Sequence, residues 1–284
     1  MNAPDCIITV GKFEGIHLGH RALIEEVVRR AKAAGVASQV VAYDPHPFKI
    51  LRDANYKPIF SRHERDELIF SLGVDYIITL DFDAKIAAMS PAEFCFQLFG
   101  ANNVREIIVG ENYRFGKNRE GSIENLREHA HVHIFKNVAD ISTSKIRELL
   151  AKNELKKAEL LLGFPFFIAG EVTKGRQLGR VLGFPTLNIY PPHDKFLPKN
   201  GVYKTRTTID GVTMTGLTNI GERPTVDDSK KISAETFLPN LKSRDEMYGK
   251  KIKVEFLRFI REERRFNSTD ELQSQIITDL GELK

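Results

Sequence analysis

A change of pattern near residue 165 constrains this 284-residue chain more than any other feature. Before it, short β-branched apolar runs alternate with segments of helical spacing. Cys6–Gly11, Ser38–Tyr43, Tyr76–Leu80, Glu106–Gly110 and His131–Phe135 read as strands, the first and fourth of them buried. Between them, Leu18–Ala34, Arg62–Leu72, Pro91–Gly100 and Ile123–Ala130 read as helices, Pro91 sitting just inside an N-cap at Ser90. Ser142–Leu150 and Glu154–Leu162 add two short helices. This rhythm predicts an open parallel α/β sheet with helices on both faces, in which ligands bind at the carboxyl ends of the strands.

After Gly163–Gly170 the runs become short and often alternate: FFIAGEV, FPTLNI, GVYKTRTTI, VTMTGLTNI, ISAETFL and KIKVEFLRFI. Asp210-Gly211 marks a hairpin between two of them. Only Ser268–Leu283 returns to helix. This half predicts a small closed antiparallel β-barrel with a C-terminal helix. The expected domains are residues 1–164 and 165–284, with no low-complexity linker between them.

Composition removes several function classes. Hydrophobic residues make up 42% and charged residues 28%, enough apolar material for two cores. The first 165 residues hold 22 basic and 22 acidic side chains and the rest 20 and 16, so the net +4 lies in the second half. A surplus this diffuse argues against nucleic acid and suits phosphate-bearing small molecules. Cys6 and Cys95, both in apolar surroundings, exclude a cysteine metal cluster and point to a reducing compartment. No apolar run reaches membrane-spanning length, and MNAPDCIITVG lacks the basic start of a signal peptide. A cytoplasmic protein, monomeric or weakly oligomeric, is expected.

The first chemical constellation is Gly11–His20, GKFEGIHLGH, between the first strand and the first helix. Read blandly, it is a glycine turn with two surface histidines. Yet His17 and His20 share a face at a helix N-terminus, where free N–H groups favour an anion. Two imidazoles there can donate to phosphate oxygens as charge develops. Metal binding is the competing reading, with His46 as a third ligand. Asp44-Pro45-His46-Pro47 follows the second strand. Gly110-Glu111-Asn112-Tyr113-Arg114-Phe115-Gly116, with Lys117 and Arg119 beyond, follows the fourth. Ile141-Ser142-Thr143-Ser144-Lys145-Ile146-Arg147 opens a helix, either as a simple cap or as a second phosphate clamp.

The second constellation is Gly170–Asn188, GEVTKGRQLGRVLGFPTLN. Its glycines and its cations Lys174, Arg176 and Arg180 can wrap a polyphosphate; a hairpin-rich barrel edge explains them equally well. It is no P-loop, because GxxxxGK(S/T) is absent. Thr186 and Asn188, two apart on a strand, put a hydroxyl and an amide oxygen on one side, a donor pair suited to the Mg²⁺ carried by ATP.

These motifs resemble a known family. His17-Leu18-Gly19-His20 resembles the nucleotidylyltransferase signature, ISTSKIR that family's second phosphate motif, and GENYRFG the FMN adenylyltransferase module. LGFPTLN, Asn219-Ile220-Gly221-Glu222-Arg223-Pro224-Thr225, Tyr248-Gly249-Lys250 and Phe259–Phe266 resemble riboflavin kinases. The whole chain is thus similar to prokaryotic bifunctional riboflavin kinases/FMN adenylyltransferases, the FAD synthetases. The resemblance implies a Rossmann-like nucleotidylyltransferase domain followed by a riboflavin kinase barrel. It implies ATP, riboflavin, FMN and FAD as ligands, Mg²⁺ with ATP, and no membrane or nucleic-acid partner. It implies His17 and His20 as catalytic in the first half. Gly11, Phe13, Gly19, Asp44, His46, Arg114, Arg119, Ser142, Thr143, Ser144, Lys145 and Arg147 would bind ATP and its phosphates. In the second half it implies Glu235 as the catalytic carboxylate, Thr186 and Asn188 at the metal, and Gly170, Lys174, Gly175, Gly179, Arg180, Phe184, Pro185, Asn219 and Arg223 around ATP and flavin.

Four positions depart from the family pattern. Lys12 stands where asparagine is frequent, Glu14 where aspartate is, Lys145 where arginine is and Phe237 where histidine is. A riboflavin kinase whose first domain is an impaired, regulatory nucleotide-binding platform is the alternative. Spacing alone reads Glu235 as an exposed strand residue paired with Lys230 or Lys231, whereas the resemblance turns it towards Thr186 and Asn188 at the barrel mouth.

Overall fold

In the computed structural model, residues 5–100, 103–136, 141–175, 179, 182–223, 231–241 and 243–283 are described, apart from the side chains of 223, 231 and 245. The chain forms two compact units, Met1–Thr143 and Ser144–Lys284.

The first unit is built on a five-stranded parallel sheet of order β3-β2-β1-β4-β5. The strands are β1 (Asp5–Gly11), β2 (Ala37–Asp44), β3 (Tyr76–Asp81), β4 (Asn103–Gly110) and β5 (His131–Phe135). Ile7, Ile8, Val10, Val40, Val41, Ile107, Ile108 and Val109 are buried in the central three. Strands covered on both faces need such unbroken apolar runs. The helices are α1 (Leu18–Ala34), α2 (Pro47–Leu51), α3 (Arg62–Phe70), α4 (Ala84–Ala88), α5 (Pro91–Gly100) and α6 (Ile123–Arg127). α1 buries Ile24, Val27 and Ala31 and stops at Gly35, whose left-handed backbone (φ 65°) closes the last turn. Ser61 and Glu64 form a capping box at the start of α3. Strand order reverses between β1 and β4, so this is where the carboxyl ends open a crevice.

The second unit begins with α7 (Thr143–Ala151, shared at its first residue) and α8 (Leu155–Leu162). α8 buries Leu155, Ala158 and Leu162 and packs against the barrel strand β11 (Lys251–Arg261). Tyr203, wholly buried in the barrel, donates its hydroxyl hydrogen to Asn153 at 3.0 Å. The other strands are β6 (Phe167–Glu171), β7 (Leu187–Ile189), β8 (Gly201–Ile209), β9 (Val212–Arg223) and β10 (Lys231–Phe237), followed at the end of the chain by α9 (Thr269–Gly281). They form an antiparallel sheet of order β6-β11-β8-β9-β10-β7. Beyond β6, the Thr173 N–H donates to the Asn188 carbonyl of β7 at 2.8 Å, which nearly closes the ring. Asp210 and Gly211, both at positive φ (47° and 79°), make the β8–β9 hairpin turn.

The barrel sheet sorts its residues by face. One face buries Thr205, Thr218 and Thr236, whose hydroxyls link across three strands at 2.8 and 2.9 Å. The other carries Asn188, Glu235, Asn219, Val202 and Arg261, paired in register from β7 through β10, β9 and β8 to β11.

Candidate active sites

The first site is a cavity of about 260 Å³ at the β1/β4 reversal, bordered by Gly11, Phe13, His17, Gly19, His20 and Tyr113. The loop that builds it is strained. Phe13 and Ile16 take left-handed backbone (φ 45° and 40°), costly for a large and for a β-branched side chain. That bend sets His17 at the N-cap of α1, where its Nδ1 accepts the backbone N–H of His20 at 3.3 Å. An accepting Nδ1 leaves the proton on Nε2, so the neutral ring is a donor. His20 stacks on His17 at 3.7 Å between ring centres and meets Phe13 edge-on. Burial pushes His17 down to about 4, and burial, then His17, holds His20 well below the usual imidazole range. Both rings are therefore neutral at pH 7. A Cβ at Gly19 would stand 3.3 Å from His17 Nδ1.

The structure thus brings Gly11, Phe13, His17, Gly19 and His20 together, while other expected residues take different places. His46 is buried away from the cavity: its Nδ1 accepts the Phe48 N–H at 3.2 Å and its Nε2 lies 3.3 Å from Glu14. Its ring stacks on Tyr56 at 4.8 Å. Among the described residues no group of three His, Cys, Asp or Glu side chains is placed to hold a metal. Asp44 ends β2 and faces Arg62 at 3.5 Å. Arg114 and Arg119 are exposed on the loop after β4. Ser142 precedes α7, and Thr143 Oγ1 would stand 3.8 Å from a Cβ at Gly15. Ser144, Lys145 and Arg147 belong to the second unit, where Lys145 pairs with Glu148 at 3.2 Å and Arg147 lies over Phe196 at 4.8 Å. Glu14, a departure from the family pattern, anchors the strained loop. Buried itself, it accepts the Tyr56 hydroxyl at 2.6 Å and the Ile59 N–H at 3.1 Å.

The second site is a cavity of about 260 Å³ over the barrel face that carries Asn219, Val202, Glu235 and Arg261. Glu235 sits opposite Asn188 of β7 and Asn219 of β9, so its placement is on this outer row rather than among the buried threonines. Thr186, Phe184 and Phe237 border the same space, the two rings meeting edge-on at 5.5 Å. α9 covers it with Leu272, Ile276 and Asp279. Arg261 grips the buried Asp279 through Nε and Nη2 at 2.7–3.0 Å. Asn219 donates to Glu263 at 2.9 Å. Asn188 is buried beneath Gly175, where a Cβ would come within 2.6 Å of its amide. Thr186 and Glu235 border the cavity and Asn188 is the register partner of Glu235; hydroxyl, amide oxygen and carboxylate are the hard donors that Mg²⁺ takes, so these residues fit that ion.

Gly179 borders the cavity and Pro185 lies between two residues that do. Gly170 packs against Ile189 instead, and Lys174 lies 5.8 Å over the Tyr248 ring. Arg180 and the Arg223 side chain lie outside the described residues. Asp279 is a cavity residue that the motifs leave out. Its signal is a carboxylate at the i+7 position of the stripe begun by Leu272 and Ile276, where an amphipathic helix places apolar residues.

Residues 1–150 match the FAD synthetase family and residues 162–284 the riboflavin kinase family. The chain belongs to the bifunctional riboflavin kinase/FMN adenylyltransferase family. It is 31% identical over 283 residues to the bifunctional riboflavin kinase/FMN adenylyltransferase of Listeria monocytogenes, covering 96% of this chain and 90% of that one. The Escherichia coli K12 enzyme of the same name is 32% identical over 286 residues, with the same coverage. A crystal structure described as a macrolide-efflux protein from Streptococcus pneumoniae superposes with a TM-score of 0.82 at 27% identity, over 98% of this chain and 93% of that one. Among the described residues of this family member, no helix is long and apolar enough to cross a membrane. The two family matches fall in the order of the two cavities, the histidine cavity first and the Glu235 cavity second.

Proposed function

We propose that the two cavities divide flavin-cofactor synthesis between them: riboflavin becomes FMN at the Glu235 cavity and FMN becomes FAD at the histidine cavity. The observation that carries this reading is the row Asn188–Glu235–Asn219 beside Thr186, in one chain with a stacked histidine pair at a helix start. The kinase activity is assigned to about residues 165–284, with α7 and α8 supporting the barrel, and the adenylyltransferase to 1–164.

In the kinase step the 5′-hydroxyl of riboflavin forms a bond to the γ-phosphorus of ATP and the bond to ADP breaks. Glu235 takes the hydroxyl proton as that bond forms. Thr186 and Asn188 would hold the Mg²⁺ of ATP, which would supply charge neutralisation on the phosphates. Phe184 and Phe237 give apolar ring surface at the edge of the same space and exclude water from it.

In the second step a phosphate oxygen of FMN bonds to the α-phosphorus of ATP, and the bond to pyrophosphate breaks. No side chain becomes covalently attached; positioning and charge stabilisation suffice. The free N–H groups at the start of α1 face the phosphates. His17 and His20, neutral and stacked, donate to oxygens on which charge builds. Both reactions belong in the ATP-rich cytoplasm, consistent with two free, buried cysteines.

Incubation with riboflavin and Mg-ATP, followed by separation of the flavins, tests the reading. FAD upholds both assignments, FMN alone reduces the first unit to a platform, and unchanged riboflavin refutes the kinase.

A further inference from the structure

Lys12 and Arg52 bring two positive charges to one aromatic ring beside the histidine loop, and the charge of Arg119 acts on Lys12. Lys12 Nζ lies 4.1 Å from the centre of the Phe48 ring, and the Arg52 guanidinium lies 4.6 Å from the same centre. Burial, then Arg119, holds the Lys12 ammonium below its usual range; Arg52 adds to this and Glu14 opposes it. Arg119 is presented by two consecutive left-handed residues, Asn118 (φ 53°) and Arg119 itself (φ 62°). Neither is glycine, so the loop stores strain to hold that cation where it is.

Like charges gathered in this way destabilise a fold unless an anion joins them. Among the described residues no carboxylate forms an ion pair with Lys12, Arg52 or Arg119. Glu14 is the carboxylate that acts on Lys12, and it is already committed to Tyr56, Ile59 and His46. The neighbouring cavity lacks charge as well, because burial keeps both histidines neutral at pH 7. Adenylyl transfer nevertheless joins polyanions there, and a phosphate monoester alone carries about −2 near neutral pH. Charge must then come from beside the histidines, and Lys12 stands between Gly11 and Phe13, two residues that border the cavity.

We propose that Lys12, Arg52 and Arg119 form a phosphate subsite of the first unit that receives a dianionic phosphate end group during adenylyl transfer. The group is either the monoester of FMN or the pyrophosphate end of ATP, and the inference rests on the adenylyltransferase reading above. Arginine forks and a lysine point charge together suit an end group that changes its charge during the reaction. Arg52 and Arg119 are exposed and Lys12 is covered only in part, which lets the group enter and leave.

The test uses the full chain with Lys12→Gln, Arg52→Gln, Arg119→Gln and the Lys12→Gln/Arg52→Gln pair. KM values for FMN and for ATP are measured separately in FAD formation, with riboflavin phosphorylation as the check on folding. Each loss should raise one KM by about tenfold, the scale of a hydrogen bond to a charged group. A rise for FMN alone identifies the monoester. A rise for ATP with weaker pyrophosphate inhibition identifies the leaving end. The wild-type KM should also climb with salt, and this slope should flatten in the pair. Unchanged KM values and salt slope in a pair variant that still phosphorylates riboflavin overturn the subsite. Should the wild-type chain make no FAD from FMN and ATP, the adenylyltransferase reading fails separately. Calorimetric titration with pyrophosphate and with FMN then decides the subsite: weaker binding by the pair upholds it, and equal binding overturns it.

Discussion

Gly175→Ala tests whether the buried Asn188 amide must stay where the barrel puts it. A Cβ built on Gly175 stands 2.6 Å from Asn188 Cγ and Nδ2 and 2.7 Å from Oδ1. Ordinary carbon contacts need about 3.5 Å, so the amide or the loop must yield by roughly 1 Å. Asn188 cannot slide within its strand without breaking the pairing of Leu187, Asn188 and Ile189 with β10. The amide therefore turns or the 170–175 segment lifts away. The stability cost of such overpacking is about 1–3 kcal/mol, which a folded unit survives. The catalytic cost is larger, because a 1 Å misplacement of a positioning group slows a reaction by on the order of 10²-fold. Riboflavin phosphorylation should fall by that factor in Gly175→Ala, and FAD formation from supplied FMN should be unchanged. Thermal unfolding gives the stability term independently. A folded Gly175→Ala protein that phosphorylates riboflavin at the normal rate would refute any role for a fixed Asn188.

Glu235→Gln keeps the volume of the side chain and removes the basic oxygen. FMN production should drop by about 10²-fold or more while supplied FMN is still converted to FAD, as read by flavin separation. His17→Asn keeps a cap acceptor for α1 but loses the ring donor; FAD formation should slow by about 10²-fold with riboflavin phosphorylation intact. His17 titrates at about 4 when folded against 6.5 when exposed, so the unfolded chain takes the proton first as pH falls. Its stabilising contribution is complete above pH 6.5 and is lost between there and about 4, on the order of 3 kcal/mol, which unfolding of wild type and His17→Asn against pH will show. A chain cut at residue 165 loses the Asn153 partner of Tyr203 and the buried Leu155, Ala158 and Leu162. It should unfold at least ~3 kcal/mol more easily than one cut at 144, measured by denaturant titration.

The three central strands of the first unit were legible because strands buried on both faces need unbroken apolar runs, whereas β3 and β5, at the sheet edges, are only partly buried. Cys6–Gly11 in the sequence differs from β1 only by Asp5. α2 and α4 were not legible, because they bury only Pro47 between them and so show no apolar face, whereas the equally short α6 buries Ile123 and Leu126. α7 and α8 were legible as helices but not as partners. Periodicity shows that Leu155, Ala158 and Leu162 share a face, and says nothing about β11 as the surface that covers it. The site divides in the same way. His17 and His20 lie three residues apart on one helix start, so local geometry brings them together. His46 meets Glu14 and Tyr56, which come from other segments, and no spacing in the sequence links the three. Glu235 presented the reverse difficulty: alternation said that it shares a face with Phe237, but only the β7 and β9 registers say which face that is.

Both sites solve one physical problem in the same way. A polar side chain that must act on phosphate has to be fixed without being satisfied by its neighbours, since every internal hydrogen bond uses up an atom meant for substrate. In each cavity, backbone shape does part of the fixing. Gly19 lies close under His17, and Gly175 lies against Asn188, at separations where a methyl group would press on the ring or the amide. Close contact restricts these side chains from one side. His17 uses one nitrogen to cap α1 and keeps Nε2–H as a donor. Burial then makes that donor neutral, so the ring contributes direction rather than charge. A phosphate site built on neutral donors must import its cations. In the reading proposed above, Lys12 and Arg52 over Phe48, with Arg119 acting on Lys12, supply that charge beside the histidine loop.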